Sequence, residues 1–175
     1  MRKLKNSELN RLEIEEFKKT TKSPIIIILD NIRSLNNIGS VFRSADAFLI
    51  KKIYLCGITA TPPNNEIRKT ALGSTDSVEW EYVERTIDLV EKLKSERIQI
   101  CCIEQAEGAI LLNDFEPNTD CTYGFVFGNE VKGVSQEVVN VADHVIEIPQ
   151  FGTKHSLNIA VSAGVIIWDI FNKLS

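Results

Sequence analysis

The 175 residues, 43% of them hydrophobic, have the length of one domain and can bury a single sizeable core. A net charge of −4 argues against a strongly basic nucleic-acid-binding domain, although residues 1–24 concentrate seven Lys and Arg against four Glu. The N-terminus does not fit a signal peptide, and the longest apolar run, 157–171, contains Asn158 and Asp169, so we expect a cytoplasmic protein that spans no membrane.

The chain begins with a helix-like segment at residues 7–19. We assign residues 1–24 to a basic helical arm, which precedes a single globular domain at residues 25–175. The arm could contact RNA, and a solvated amphipathic helix explains it equally well. A continuous β-branched run at 24–29 follows, which is typical of a strand buried on both faces.

Strand-like and helix-like segments then alternate to the end of the chain. Further strands are expected at 52–56, 78–83, 97–103, 123–127 and 144–148. Helices are expected at 37–48, 66–72, 86–95, 135–141 and 156–174. The alternation predicts an α/β fold with helices on both faces of a mainly parallel sheet. Because such sheets bind ligands at the carboxyl ends of their strands, the loops there are the places to search for a site.

The first informative loop follows the first strand and leads into a helix. Asn36 or Asn37 could cap this helix, and Gly39 would let another backbone approach its first turn. Arg43 lies one helical turn beyond Gly39 and can point back toward the strand ends. A simple ion pair between Arg43 and Asp46 is an equally acceptable interpretation.

The second informative loop begins at Gly128, where the strand at 123–127 ends. Gly128 and Gly133 permit close contact between the backbone and a ligand, and Glu130 and Lys132 lie between them. The spacing differs from the dinucleotide fingerprint G-x-G-x-x-G and from a phosphate-binding loop.

The third informative loop passes through Pro149 and Gly152 into the last helix. Ser156 is a natural N-cap, and capping alone would explain it. Asn158 is harder to explain structurally, because an amide at the head of an apolar helix needs a specific hydrogen-bond partner. Four small residues follow: Ala160, Ser162, Ala163 and Gly164. They would let another helix or chain approach closely, although ordinary core packing explains them equally well.

Together the three loops resemble the signature motifs of the SpoU (TrmH-like) family of RNA methyltransferases. Those motifs are N-x-G-x-x-x-R, a G-x-E segment and I-P-x-x-G-x-x-x-S-L-N, and they stand here in the same order over residues 25–174. The matching residues are Asn37, Gly39, Arg43, Gly128, Glu130, Lys132, Gly133, Ile148, Pro149, Gly152, Ser156, Leu157 and Asn158. One departure is Val131, where many relatives carry glycine, and it makes the second loop stiffer.

The resemblance implies a SPOUT-type fold with a C-terminal trefoil knot, which general topology rules would not predict. It implies S-adenosyl-L-methionine (SAM) as methyl donor, contacted by the backbone around Gly128, Asn129, Ile148 and Leu157. It also implies a homodimer whose active sites combine residues of both chains. The implied reaction is methylation of a ribose 2′-hydroxyl in tRNA or rRNA, with tRNA preferred.

Five side chains are expected to surround the target ribose: Arg43, Asn37, Glu130, Ser156 and Asn158. The resemblance makes Arg43 catalytic, either as a deprotonated base or as a cation that stabilises the developing alkoxide. We expect no metal, because the four cysteines lack metal-ligand spacing and are interpreted as reduced core residues.

Two other functions remain open at this point. A non-catalytic RNA-binding protein could keep the same fold, although the complete set of motif side chains argues against it. An unrelated nucleotide-binding α/β enzyme is disfavoured, because the phosphate-binding fingerprints are missing.

Overall fold

A computed structural model of the chain describes residues 1–174, in which helices and strands alternate as expected. The strands are Ser23–Asp30 (β1), Ile50–Cys56 (β2), Trp80–Val83 (β3), Gln99–Ile103 (β4), Ile110–Leu111 (β5), Tyr123–Phe127 (β6) and His144–Glu147 (β7). The α-helices are Ile14–Lys19 (α1), Leu35–Ala47 (α2), Asn65–Ala71 (α3), Ser74–Ser77 (α4), Thr86–Ser95 (α5), Gln136–Val141 (α6) and Ile159–Leu174 (α7). Short 3-10 turns occupy Asn6–Glu8 and Leu112–Asp114.

The strands form one sheet in the order β3-β2-β1-β6-β4-β7-β5, and all pairings within the described chain are parallel. β1 and β6 are neighbours, in register from Ile25 opposite Tyr123 to Leu29 opposite Phe127. Since all strands run the same way, the three informative loops leave the sheet at its carboxyl edge. The α/β fold with a parallel sheet is confirmed, while the trefoil knot stays a prediction.

Helices cover both faces of this sheet. Successive side chains of β1 point to opposite faces, as the pleat requires. Ile25, Ile27 and Leu29 belong to the core that α2 and α7 cover, whereas Ile26 and Ile28 belong to the core that α5 and α6 cover. All five are at most 3% exposed. The double burial explains why this strand is a continuous apolar run.

The N-terminal arm is less helical than expected. α1 covers only Ile14–Lys19, and Asn10 has a left-handed φ of 46° that a continuous helix over 7–19 would not allow. Phe17 packs into the core under α2, at 4% exposure. Some of the arm's positive charge is neutralised locally, because Arg2 pairs with Glu8 at 2.6 Å. The domain division at residue 24 stays a prediction.

Two helix caps differ from those expected. Ser34, not Asn36 or Asn37, caps α2, and its hydroxyl accepts the Asn37 N–H at 3.3 Å. α7 begins at Ile159 rather than at Ser156. Contacts of the loops that precede these helices determine where each helix begins.

The cysteines are core residues, as predicted. All four are free thiols, and Cys121 alone of them is half-buried rather than buried. Burial raises the pKa of the Cys56 and Cys102 thiols to about 12. Within residues 1–174 no helix is both long and apolar enough to cross a membrane.

Gly39 allows α2 and α3 to pack closely. A Cβ at this position would lie 2.0 Å from Thr70 Oγ1 and 2.3 Å from the carbonyl oxygen of Ile67. The Thr70 hydroxyl also donates to the Asn36 carbonyl at 3.1 Å. The predicted approach of another backbone at Gly39 is therefore confirmed, and that backbone belongs to α3.

Gly39→Ala should destabilise the protein by about 1–3 kcal/mol in the free energy of unfolding, because the added methyl group overlaps the backbone of α3. Helix propensity alone would favour alanine by about 0.5–1 kcal/mol, so a loss isolates the close contact. Urea titration measures the net change in the free energy of unfolding. Ser40→Ala, at the next position of α2, is the control and should change stability by less than about 0.5 kcal/mol. Equal stabilities of the two variants would contradict this packing.

Candidate active site

One carboxylate fastens the loop after β6 to the loop after β1. Glu130 accepts hydrogen bonds from the backbone N–H groups of Arg33 and Ser34, both at 3.0 Å. Asn37 Nδ2 donates a third hydrogen bond to Glu130 Oε1 at 3.4 Å. These donors lie just before and within the first turn of α2, where backbone N–H groups lack helical partners and the helix dipole favours an anion. Glu130 therefore fixes where α2 begins.

The same contacts keep Glu130 ionised. Partial burial would raise the pKa of its carboxyl, but hydrogen bonds from Arg33, from its own backbone, from Ser34 and from Asn37 outweigh this effect. The pKa of Glu130 is consequently lowered from its usual value. A carboxylate that already accepts three donors is a weak proton acceptor, so Glu130 acts by position.

Amide side chains extend this set across the carboxyl edge. Asn158 Nδ2 donates a hydrogen bond to Asn37 Oδ1 at 3.1 Å. Asn158 Oδ1 in turn accepts the backbone N–H groups of Ala160 and Val161 at 2.9 and 3.4 Å. Asn158, not Ser156, is thus the cap of α7. Side chains from all three informative loops are joined by continuous hydrogen bonds, Glu130 to Asn37 to Asn158, which we call the amide relay.

Asn129 organises the second loop. Its Oδ1 accepts the backbone N–H groups of Val131 and Lys132 at 3.0 and 3.1 Å, and its Nδ2 donates to the Asn31 carbonyl at 2.8 Å. Its backbone pairs with Gly133 in both directions, at 3.0 and 2.8 Å. The Asn129 side chain thus stabilises the loop. One N–H of the Asn129 Nδ2 group remains for a ligand.

The two glycines of this loop are required by the loop itself. A Cβ on Gly128 would lie 2.0 Å from the nitrogen of Val134 and 2.1 Å from the carbonyl carbon of Gly133. Gly133 has a φ of +68°, and a Cβ there would lie 2.1 Å from Glu104 Oε2. Glu104 Oε2 also accepts the Val134 N–H at 3.0 Å. The close backbone approach expected at Gly128 is therefore made by its own loop, and cofactor contact at Gly128 stays a prediction.

Arg43 stands apart from the amide relay. It is exposed on α2, and it forms no hydrogen bond or ion pair within residues 1–174. Asp46, its alternative partner, instead accepts a hydrogen bond from Ser77, so the simple ion pair is wrong. Arg43 follows Asn37 by six residues, which places it about 9 Å further along the helix axis and about 120° around it.

A family model described as the SpoU rRNA Methylase family matches residues 24–168. The chain belongs to this family. It is 28% identical over 160 residues to the tRNA (guanosine(18)-2′-O)-methyltransferase of Aquifex aeolicus, covering 89% of this chain and 72% of that protein. It is 26% identical over 159 residues to the 23S rRNA (guanosine-2′-O-)-methyltransferase RlmB of Neisseria meningitidis, covering 90% of this chain and 62% of that protein.

The fold matches solved structures as well. The AdoMet-bound rRNA methyltransferase from Sinorhizobium meliloti superposes with a TM-score of 0.81 at 23% identity, covering 91% of this chain and 60% of that chain. The chain thus spans about three fifths of the length of two of these three proteins.

The third SpoU motif leaves hydrogen-bonding groups free beside apolar side chains. Residues 151–158 are exposed, and no backbone N–H of residues 150–157 donates a hydrogen bond inside the described chain. Ile148 is half-buried against the core, and Leu157 is 38% exposed. Free amides next to apolar surface suit a ligand with an adenine ring and polar substituents, so this segment fits SAM. Ser156 lies in it without a side-chain partner among residues 1–174.

Sequence reasoning missed three polar residues that shape the site. Asp30 ends β1, Asn31 follows it, and Glu104 follows β4. Each accepts hydrogen bonds that hold a neighbouring loop in place. Their position directly at strand ends was a usable signal, because polar residues there face the ligand edge of a parallel sheet.

Glu130→Gln should lower the free energy of unfolding by about 1 kcal/mol, because a neutral amide accepts the Arg33 and Ser34 N–H groups more weakly than a carboxylate does. Since the folded-state pKa of Glu130 is lowered, the carboxylate stabilises the fold fully above its unfolded pKa of about 4.3. This stabilisation is lost as the pH falls through the lower, folded-state pKa. Urea titrations from pH 7 downward measure the difference between wild type and variant.

The advantage of the wild type over Glu130→Gln should therefore be constant near neutral pH and shrink below about pH 4. Glu107→Gln is the control, since Glu107 is exposed and has no hydrogen bond within residues 1–174. It should show no such change. An advantage of Glu130 that persisted undiminished in acid would contradict the role assigned to its charge.

Proposed function

We propose that the chain is a SAM-dependent RNA methyltransferase that transfers a methyl group to a ribose 2′-hydroxyl. The observation that carries this proposal is the amide relay, because it gathers side chains of all three SpoU motifs at one place on the carboxyl edge. We favour tRNA over rRNA, since the chain spans more of the Aquifex tRNA enzyme than of the Neisseria rRNA enzyme. The free thiols are in keeping with a cytoplasmic reaction.

SAM binding is assigned to the second and third motifs. The backbone of residues 150–157 with Ile148 and Leu157 holds the cofactor, and Gly128 and Asn129 border it. SAM supplies an activated methyl group when bound. The S. meliloti structure, which contains AdoMet, supports this cofactor.

The amide relay orients the acceptor. Methyl transfer needs the hydroxyl oxygen held in line behind the methyl group. Asn37 and Asn158 each use one N–H of the side-chain amide within the relay, so each keeps a second N–H for a ribose oxygen. Glu130 holds Asn37 in position by accepting its side-chain N–H. A non-catalytic RNA-binding protein would not need side chains of three motifs held in this mutual position.

Arg43 is the catalytic residue in this proposal. It is exposed and has no acidic partner in the described chain, so its guanidinium is free to meet an anion. It stabilises the negative charge that develops on the ribose oxygen and binds an adjacent phosphate. Ser156, also free, completes the polar surroundings of the ribose.

A homodimer accounts for the surface of α7. Val161, Val165 and Trp168 are 52%, 36% and 57% exposed and follow one another at helical spacing, so they form an apolar stripe that faces solvent in the single chain. Gly164 lies beside them with open space above it. The Trp168 ring contacts Phe48 at the end of α2, with centroids 5.7 Å apart. We place the second copy on this stripe, which brings Arg43 of α2 close to the partner copy.

Arg43→Ala should reduce single-turnover methylation of RNA by at least about 100-fold while SAM affinity stays unchanged, because the side chain acts on the ribose and not on the cofactor. Arg43→Lys should restore little, since a lysine lacks the planar fork. The assay uses labelled SAM with total RNA, followed by mapping of the modified nucleotide, and calorimetry measures SAM binding. Arg68→Ala, an exposed arginine of α3, is the matched control and should keep full activity. Near-wild-type rates with either Arg43 variant would remove Arg43 from the mechanism.

Val165→Glu should convert the homodimer to a folded monomer, because it places a charge in the middle of the α7 stripe. Sedimentation at micromolar concentration measures the association, and the far-UV spectrum verifies the fold. Methyl transfer should fall with the dimer. Ile14→Glu, which charges an apolar residue of α1 with 43% exposure, should leave the dimer intact. A wild-type chain that sediments as a monomer would overturn this assembly.

A further inference from the structure

A pocket of about 570 Å³ opens at the carboxyl edge between the loops that follow β1, β2 and β6. Asp30 is its most deeply buried residue, at 2% exposure, and Ile58 and Val131 contribute apolar surface. The exposed cations Arg33 and Lys132 stand at its rim. Its volume is ordinary for a small-ligand site. None of the third motif lines it, so it is separate from the proposed SAM site.

Hydrogen bonds hold the walls of this pocket in place. Asn31 Oδ1 accepts the backbone N–H of Ile58 at 3.1 Å, which ties the loop after β2 to the loop after β1. Asn129 donates to the Asn31 carbonyl and accepts from the backbone of Val131 and Lys132. Both apolar walls are therefore fixed before any ligand arrives. A preformed pocket binds without a large cost in conformational entropy.

The buried carboxylate of Asp30 keeps one oxygen without a donor. Thr86 Oγ1 and Asn31 Nδ2 both donate to Oδ1, the second at 2.8 Å. No group of residues 1–174 donates to Oδ2. This oxygen is not among the fully buried atoms that lack a partner, so a ligand in the pocket can reach it with an N–H group and form a charge-assisted hydrogen bond. A phosphate in the same position would be repelled.

We propose that this pocket binds an unpaired guanine base of the substrate RNA, at or beside the methylated nucleotide; the inference rests on the proposed function. The N1–H and 2-amino groups of guanine offer two adjacent donors, for Asp30 Oδ2 and for the hydroxyl of Ser135. Ser135 lines the pocket and makes no side-chain cap hydrogen bond. The apolar surfaces of Ile58 and Val131, 66% and 78% exposed, cover the faces of the base.

The position of the pocket connects the base to the reaction. Arg33 lies at the rim of the pocket, and its backbone N–H donates a hydrogen bond to Glu130 of the amide relay. The pocket and the relay therefore share one wall. A nucleotide with its base in the pocket would have its ribose near the relay, and the cations Arg33 and Lys132 can contact the flanking phosphates. The pocket thereby determines which nucleotide presents its hydroxyl.

Amide chemical shifts during titration with GMP test the assignment directly. GMP should shift the backbone signals of Asn31, Ile58 and Lys132, and IMP, which lacks the 2-amino group, should bind about tenfold more weakly. Ile58→Glu should weaken GMP binding by at least about tenfold, since it places a second carboxylate in an apolar wall. Ile14→Glu, at α1, is the matched control and should leave GMP binding unchanged. Asp30→Asn should remove the preference for GMP over IMP.

The same titration with SAM, and RNA methylation by the same variants, separate this inference from the proposed function. GMP that shifts other amides, equal binding of GMP and IMP, or unchanged GMP binding in Ile58→Glu would each overturn the guanine pocket while wild-type methylation still stood. SAM that shifts the same amides would overturn it too, by assigning the pocket to the cofactor. GMP binding as described without any methylation of RNA would support a guanine site but refute the proposed function, and with it the assignment of the base to a substrate RNA. Ile58→Glu remains informative if Asp30→Asn fails to fold.

Discussion

The hydrogen bonds from the Arg33 and Ser34 amides to the Glu130 carboxylate are the contact on which the site depends. The parallel sheet brings the ends of β1 and β6 side by side, but two loops that merely start at neighbouring points can move independently. A charged acceptor on adjacent backbone amides removes that freedom, because its hydrogen bonds are stronger and more directional than those of a neutral group. The start of α2, and with it the direction of Asn37 and Arg43, follows from this one contact.

Local pattern was enough to predict a mainly parallel sheet and to locate six of its seven strands. A buried parallel strand is apolar at every position, so the run at 24–29 could be recognised without knowledge of its neighbours. The pattern failed where the information is not local. β5 has two residues and α4 has four, too few to show a period. The cap of α2 was assigned to Asn36 or Asn37 because these residues favour caps as strongly as Ser34 does, and the choice is made by Glu130, which is distant in sequence.

The motifs located the site residues but not their contacts. Glu130, Asn37 and Asn158 were expected around a ribose, and they do lie together, yet they bond first to one another. Gly128 was expected to leave room for a ligand, and the loop's own backbone occupies that room. The sequence pattern did not indicate Asp30 as a site residue, because a polar residue is common at the end of a strand. Its burial depends on Thr86 at the start of α5, which no local pattern connects to β1.

The geometry of α2 separates the two roles that the proposed function assigns to Asn37 and Arg43. Residues six apart on a helix point about 120° away from each other, so Asn37 and Arg43 leave α2 from different sides. Orientation of the hydroxyl and stabilisation of its charge are therefore divided between two sides of one helix. The exposed stripe of α7 borders α2, since Trp168 of α7 packs on Phe48 at the end of α2. In the proposed homodimer, contact between two copies along that stripe would bring the two roles together, and association would then be a condition of catalysis.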